Sequence, residues 1–68
     1  MNNKPKGANM KKYSMIQFMR GGVVKYARLV KNYNLVDEQF IKDSFNVNAV
    51  VKYANEHKIK YNTITINQ

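Results

Sequence analysis

The sequence contains no cysteine and a single histidine, His57, among its 68 residues. A chain without thiols has no disulfide framework and no thiolate metal site, and one imidazole is too few for a histidine-built site. No nucleophilic side chain stands at a recognisable spacing from a base, and no glycine-rich phosphate loop is present. We therefore expect a protein that is not an enzyme and that carries no cofactor and no metal.

Long apolar runs are also missing. No stretch approaches the roughly 18 consecutive apolar residues of a membrane span, and the lysines near the start are not followed by the apolar segment of a secretory signal. We expect a cytoplasmic protein without a membrane partner. A 68-residue chain holds one domain at most, and a homodimer would enlarge its small core.

Acidic residues are few and lie only in the second half of the chain. Twelve lysines and arginines face four acids, which gives a net charge of +8. All four acids follow position 36, whereas eight of the basic residues precede it. Solubility alone could account for such a charge, but so uneven a distribution favours a polyanionic partner, and we expect double-stranded DNA.

The hydrophobic pattern predicts three helices behind a flexible basic arm at residues 1–10. The helices cover residues 23–33, 35–45 and 46–58, because apolar residues recur there at helical spacing. Asn46 or Asn48 is expected to cap the third helix. The second helix should bury its two phenylalanines, Phe40 and Phe45, as core anchors.

Two stretches fit more than one structure. Residues 13–19 fit a strand slightly better than a helix. Residues 62–66 alternate as a strand, although the spacing of Ile64 from Ala54 and Ile59 favours a helix that crosses the preceding one. The predicted fold is therefore mainly α. It is a bundle of three to four short helices over residues 11–68, with these two short strands as an option and a small α+β fold as the alternative.

The segment 51–65 resembles the helix-turn-helix superfamily of DNA-binding proteins. Ala54, Ile59 and Ile64 match that pattern in type and spacing, although Lys58 stands where the turn usually has glycine. The resemblance implies that the last residues form a recognition helix in the major groove. The residues expected to contact bases there are Lys60, Tyr61, Asn62, Thr63 and Thr65. Phosphate contacts are expected from the basic first half, at Lys11, Lys12, Arg20, Lys25, Arg28 and Lys31.

The first half offers a second resemblance, because a basic strand followed by two helices has the element order of the ribbon-helix-helix family. In either case the expected function is that of a small DNA-binding regulator of the phage, plasmid or mobile-element type. The alternative is a small phage-type inhibitor or adaptor that binds a host protein by adding a strand to its sheet. RNA binding is less expected, because the aromatic residues are spaced as core residues.

Overall fold

In the computed structural model, which describes residues 12–68, the chain forms four strands and one helix. They are β1 (Tyr13–Arg20), β2 (Val23–Lys31), β3 (Gln39–Ser44), α1 (Val47–Glu56) and β4 (Tyr61–Asn67). The sheet order is β3-β2-β1-β4. The first three strands are antiparallel, and β4 runs parallel to β1. The prediction of a mainly helical bundle is therefore wrong, and the basic arm predicted at residues 1–10 lies outside the described residues.

The first hairpin is built on Gly21 and Gly22, which join β1 to β2. Their φ angles are +62° and +79°, which are the positive values that both central residues of a type I′ turn require. The pairing shifts between Phe18 and Met19, so Lys25 is the extra residue of a β-bulge in β2. Two glycines between two apolar runs are thus the signal of this hairpin.

Residues 23–33 were expected to form a helix, and most of them form the inner strand β2 instead. The strand is flanked by β1 and β3 and buries side chains on both of its faces, with Ala27, Leu29 and Val30 all 0% exposed. A strand buried on both faces has no strict alternation of apolar and polar residues. Its apolar residues can then fall by chance at helical spacing, and this is what misled the prediction.

The helix predicted over residues 35–45 is also absent, and its place is taken by a loop and by β3. Asn32 and Asn34 have φ angles of 56° and 64°, which asparagine tolerates better than most residues. The amide Nδ2 of Asn32 donates to Asp37 Oδ2 at 3.1 Å, and the Asn34 N–H donates to Glu38 Oε1 at 2.9 Å. These two hydrogen bonds join the start of the loop to its end.

Helix α1 is the one predicted helix that the structure contains. Its cap at Asn46 is confirmed, because the Asn46 side chain accepts a hydrogen bond from the Asn48 N–H at 3.0 Å. Val50 and Ala54 face inward and are fully buried. They join three sheet residues to form the core between the helix and the sheet: Met15, Ala27 and Leu29.

The end of α1 explains the spacing that suggested a helix-turn-helix unit. The Ile59 N–H donates to the Ala54 carbonyl at 2.8 Å, and the Lys58 N–H donates to the Asn55 carbonyl at 3.2 Å. With His57 as C-cap, these are the two bonds of a Schellman motif, which commonly brings the residues at its two ends into apolar contact. An apolar residue five positions after a buried alanine is therefore the mark of this helix end, and no second helix follows it.

Residues 61–67 form an edge strand and not a recognition helix. The segment contains two threonines and two isoleucines, whose branched side chains suit a strand better than a helix. Tyr61 pairs with Tyr13, and the pairing continues residue by residue to Met19 and Asn67. Ile64 pairs with Ile16, which lies outside the core beneath the helix, so Ile64 plays no part in a crossing of two helices.

Candidate functional site

The sheet has two different faces, and only one of them packs against α1. The strand register places the polar residues Ser14, Asp43 and Asn62 and eight others on the other face, and Phe45, just after β3, joins them through its ring contact with Tyr26. We call those eight residues and Phe45 the aromatic face: Ile16, Phe18, Tyr26, Arg28, Val30, Phe40, Phe45, Ile64 and Ile66. None of them belongs to the cluster beneath the helix. Two members, Ile16 and Val30, are buried, while Phe40 and Phe45 are 53% and 83% exposed. The prediction that both phenylalanines are core anchors is therefore wrong.

Three aromatic rings form a row across this face. The ring centroids of Phe18 and Tyr26 are 5.5 Å apart, and those of Tyr26 and Phe45 are also 5.5 Å apart. The rings are tilted by 40° and 51°, which lies within the range of favourable aromatic pairs. The row begins on β1, crosses β2 and ends just after β3, so the sheet itself fixes its spacing.

Arg28 lies on the same face and brings a positive charge to it. Its guanidinium carbon is 5.5 Å from the centroid of the Phe40 ring, a distance at which a cation is attracted to an aromatic face. The Arg28 Nε atom is buried and has no hydrogen-bond partner among the described residues. A buried donor without a partner is costly, so a ligand oxygen that accepted a hydrogen bond from this guanidinium would remove that cost.

A polar pair lies beside the row of rings. The Tyr26 hydroxyl donates to Asp43 Oδ2 at 2.6 Å. This hydrogen bond, together with burial and the nearby carboxylate charge, raises the pKa of Tyr26, while Arg28 acts in the opposite direction. Tyr26 and Asp43 line an open cleft of about 580 Å³ together with Ser44 and Phe45. The cleft thus combines two aromatic rings with groups that form hydrogen bonds.

The basic residues that were predicted to contact phosphate do not share one surface. Arg28 belongs to the aromatic face, but Lys31 lies on the helix side, with its ammonium group 5.9 Å from the Tyr13 ring centroid. Lys25 is in the bulge, and Arg20 is exposed at the end of β1. Lys12 is exposed just before β1 and Lys11 lies outside the described residues. Lys25, Arg28 and Lys31 therefore lie on a strand and do not form one basic surface.

The residues that were predicted to read bases are divided between the two sides of β4. Tyr61 packs against the core beneath the helix, Thr63 and Thr65 are exposed on that same side, and Asn62 lies on the opposite one. Lys60 is exposed just before the strand. Their joint insertion into a major groove as one recognition helix is incompatible with this strand. Their individual contribution to DNA binding stays a prediction.

Sequence reasoning missed the most distinctive feature of the site, the row of Phe18, Tyr26 and Phe45. These rings come from three separate segments, and only the strand register brings them together. The hairpin could have been recognised from Gly21 and Gly22, and it pairs Phe18 with Tyr26. The position of Phe45 could not, because it depends on the pairing of β3 with β2.

The comparisons with other proteins add no information on function, since no family model, no curated protein and no solved structure matches this chain. Within residues 12–68, no group of three or more metal-ligating side chains is found. The helix in this part of the chain is too short and too polar to cross a membrane.

Proposed function

We propose that this protein binds single-stranded nucleic acid across the aromatic face of its sheet. The row formed by Phe18, Tyr26 and Phe45 is the observation that carries the proposal. Unpaired bases stack on aromatic side chains, and an exposed sheet face with several such rings is a common platform for single strands. The outermost ring, Phe45, is 83% exposed and is therefore available to a base.

The charge of the chain supports the same proposal. A net charge of +8 attracts a phosphate backbone and speeds the encounter with it. Arg28 supplies a guanidinium on the aromatic face itself, with a buried Nε–H that lacks a partner among the described residues. A planar guanidinium can stack on a base and can also donate to a phosphate.

The cleft beside Phe45 gives this surface the means to distinguish bases. The Asp43 carboxylate can accept a hydrogen bond from the amino group of a base, as acidic side chains do with cytosine. The Tyr26 hydroxyl already donates to this carboxylate, and this bond holds the carboxylate in place. A base stacked on Phe45 would lie next to these two groups, because all three line the same cleft.

The experiment is a fluorescence anisotropy titration of labelled single-stranded DNA and RNA, each about 12 nucleotides long, at two salt concentrations. We expect Kd to rise with salt, because binding releases counterions from the phosphates. Phe45→Ala should raise Kd by roughly 5- to 150-fold, which corresponds to about 1–3 kcal/mol for one stacked base. Leu35→Ala is the matched control, since it removes another exposed apolar side chain, 61% exposed, from the β2–β3 loop.

Three results would contradict the proposal. One is the absence of binding at low salt, and another is an equal Kd for Phe45→Ala and the unaltered protein. The third is tighter binding to a duplex of the same sequence. That result would instead favour the DNA-binding regulator predicted from the sequence.

A further inference from the structure

The two outer strands of the sheet differ in how well they are protected against pairing with another strand. β3 has six residues, carries Lys42 and Asp43, and its pairing with β2 shifts between Leu29 and Val30. Charges and irregular pairing are devices that keep an edge strand from adding a neighbour. β4 has seven residues, YNTITIN, without a charge, a proline or a glycine, and it pairs with β1 without interruption.

The backbone of β4 also presents hydrogen-bonding groups to the outside. The Gln68 N–H donates to the Met19 carbonyl at 2.9 Å, toward β1. Successive residues of a strand point their backbone groups to alternate sides, so those of Thr63 and Thr65 point away from β1. Both threonine side chains are exposed, and β4 is an outer strand of the described sheet.

We propose that β4 pairs with β4 of a second copy of this chain, antiparallel and about a two-fold axis at Ile64. In this register the outward groups of Thr63 bond to those of the partner's Thr65, and Tyr61 lies opposite the partner's Asn67. All seven residues of β4 then take part in the pairing. Ile64 lies opposite its own copy in a non-hydrogen-bonded pair, in which side chains approach most closely.

The distribution of charge favours the antiparallel orientation of the second copy over a parallel one. Two chains that each carry +8 repel each other, and a contact along an uncharged strand keeps their charges apart. The antiparallel register places Lys60 of the two copies at opposite ends of the paired strands, whereas a parallel register would set them side by side. The new contact also enlarges a domain that, at this size, buries only about 60% of its unfolded surface.

The absence of cysteine from the chain allows a direct test by cross-linking. Ile64→Cys places two thiols on the proposed axis, where the Cα atoms of a non-hydrogen-bonded pair are about 4.5 Å apart, a distance that a disulfide can span. Ile66→Cys is the matched control on the same strand and face. In this register its two thiols are offset by four residues, about 14 Å. We expect a covalent dimer from Ile64→Cys alone on a non-reducing gel after mild oxidation.

Light scattering after gel filtration tests the same proposal without a thiol. The unaltered protein should have twice the chain mass of 8.0 kDa. Thr65→Pro should have the single mass, because it removes an N–H that points away from β1, a position where an edge strand accepts proline. Circular dichroism reports whether this variant is folded; should it unfold, the two cysteine variants decide alone.

Two results would overturn the inference. The first is a mass of 8.0 kDa for the unaltered protein at every concentration up to about 1 mM, which would place the Kd of any dimer above about 1 mM. The second is equal cross-linking, or none, of both cysteine variants. An edge that serves another protein's strand would give the first result. Neither result bears on nucleic-acid binding, because none of the three rings proposed to stack bases, Phe18, Tyr26 and Phe45, belongs to β4.

Discussion

Replacing Lys58 with glycine should make the protein more stable, and the structure indicates by how much. Lys58 has a φ of 56° in the position of the Schellman motif where glycine is usual. A residue with a Cβ loses roughly 1–2 kcal/mol in this conformation. Glycine avoids that loss but makes the unfolded chain more flexible, which costs about 0.5–1 kcal/mol. The net gain in the free energy of unfolding should be about 0.5–1 kcal/mol.

Thermal unfolding followed by circular dichroism measures this gain. In a domain of this size 1 kcal/mol shifts Tm by about 4–8 °C, so Lys58→Gly should raise Tm by about 2–8 °C. Lys60→Gly removes the same charge two residues later, where φ is not positive, and it should lower Tm. An unchanged or lower Tm for Lys58→Gly, or equal shifts for the two variants, would refute this account of the end of α1.

Three further predictions concern the core, the helix cap and pH. Ala54→Leu adds atoms at a fully buried site and should reduce the free energy of unfolding by about 1–3 kcal/mol; Asn55→Leu, at an exposed neighbour, should stay within about 0.5 kcal/mol, and denaturant titration compares the two. Asn46→Ala removes the cap of α1 and should cost about 0.5–2 kcal/mol by the same assay, so a cost near zero would argue against the cap. Folding raises the pKa of Tyr26 above 10.0, mainly through its bond to Asp43. The resulting stability is therefore complete below pH 10 and lost as the pH rises through the folded pKa. The difference in Tm between the unaltered protein and Tyr26→Phe should therefore fall as the pH rises above 10. A difference that grows above pH 10 would contradict the hydrogen bond from Tyr26 to Asp43.

The sequence predicted the local features of this fold better than its long-range ones. The helix over residues 47–56 and its cap at Asn46 could be read from the sequence because both depend on neighbouring residues. The inner strand β2 could not, since a strand buried on both faces lacks the alternation that marks a strand. Whether this pattern forms a helix or a strand depends on pairing with β1 and β3, the strands on either side of β2 in the sheet.

The candidate site shows the same division between local and long-range information. The composition gives the net positive charge of the chain, but it does not show where the basic side chains lie on the surface. The prediction that Phe40 and Phe45 are buried assumed that large aromatic residues fill small cores. This core is instead filled by smaller side chains such as Ala27 and Val50, and the two phenylalanines lie on the other face of the sheet.

The pairing of β4 with β1 has a consequence for how the protein folds. Tyr13 pairs with Tyr61, and residues 21–60, most of the described chain, lie between the two strands that must meet. The hairpins β1–β2 and β2–β3 close short loops, whereas this parallel pair requires a long one, and such contacts slow folding. We expect the three-stranded meander to form first and the docking of β4 to limit the rate. A substitution that weakens only the β4–β1 contacts would then speed unfolding if these contacts form after the transition state, and slow folding if they form within it.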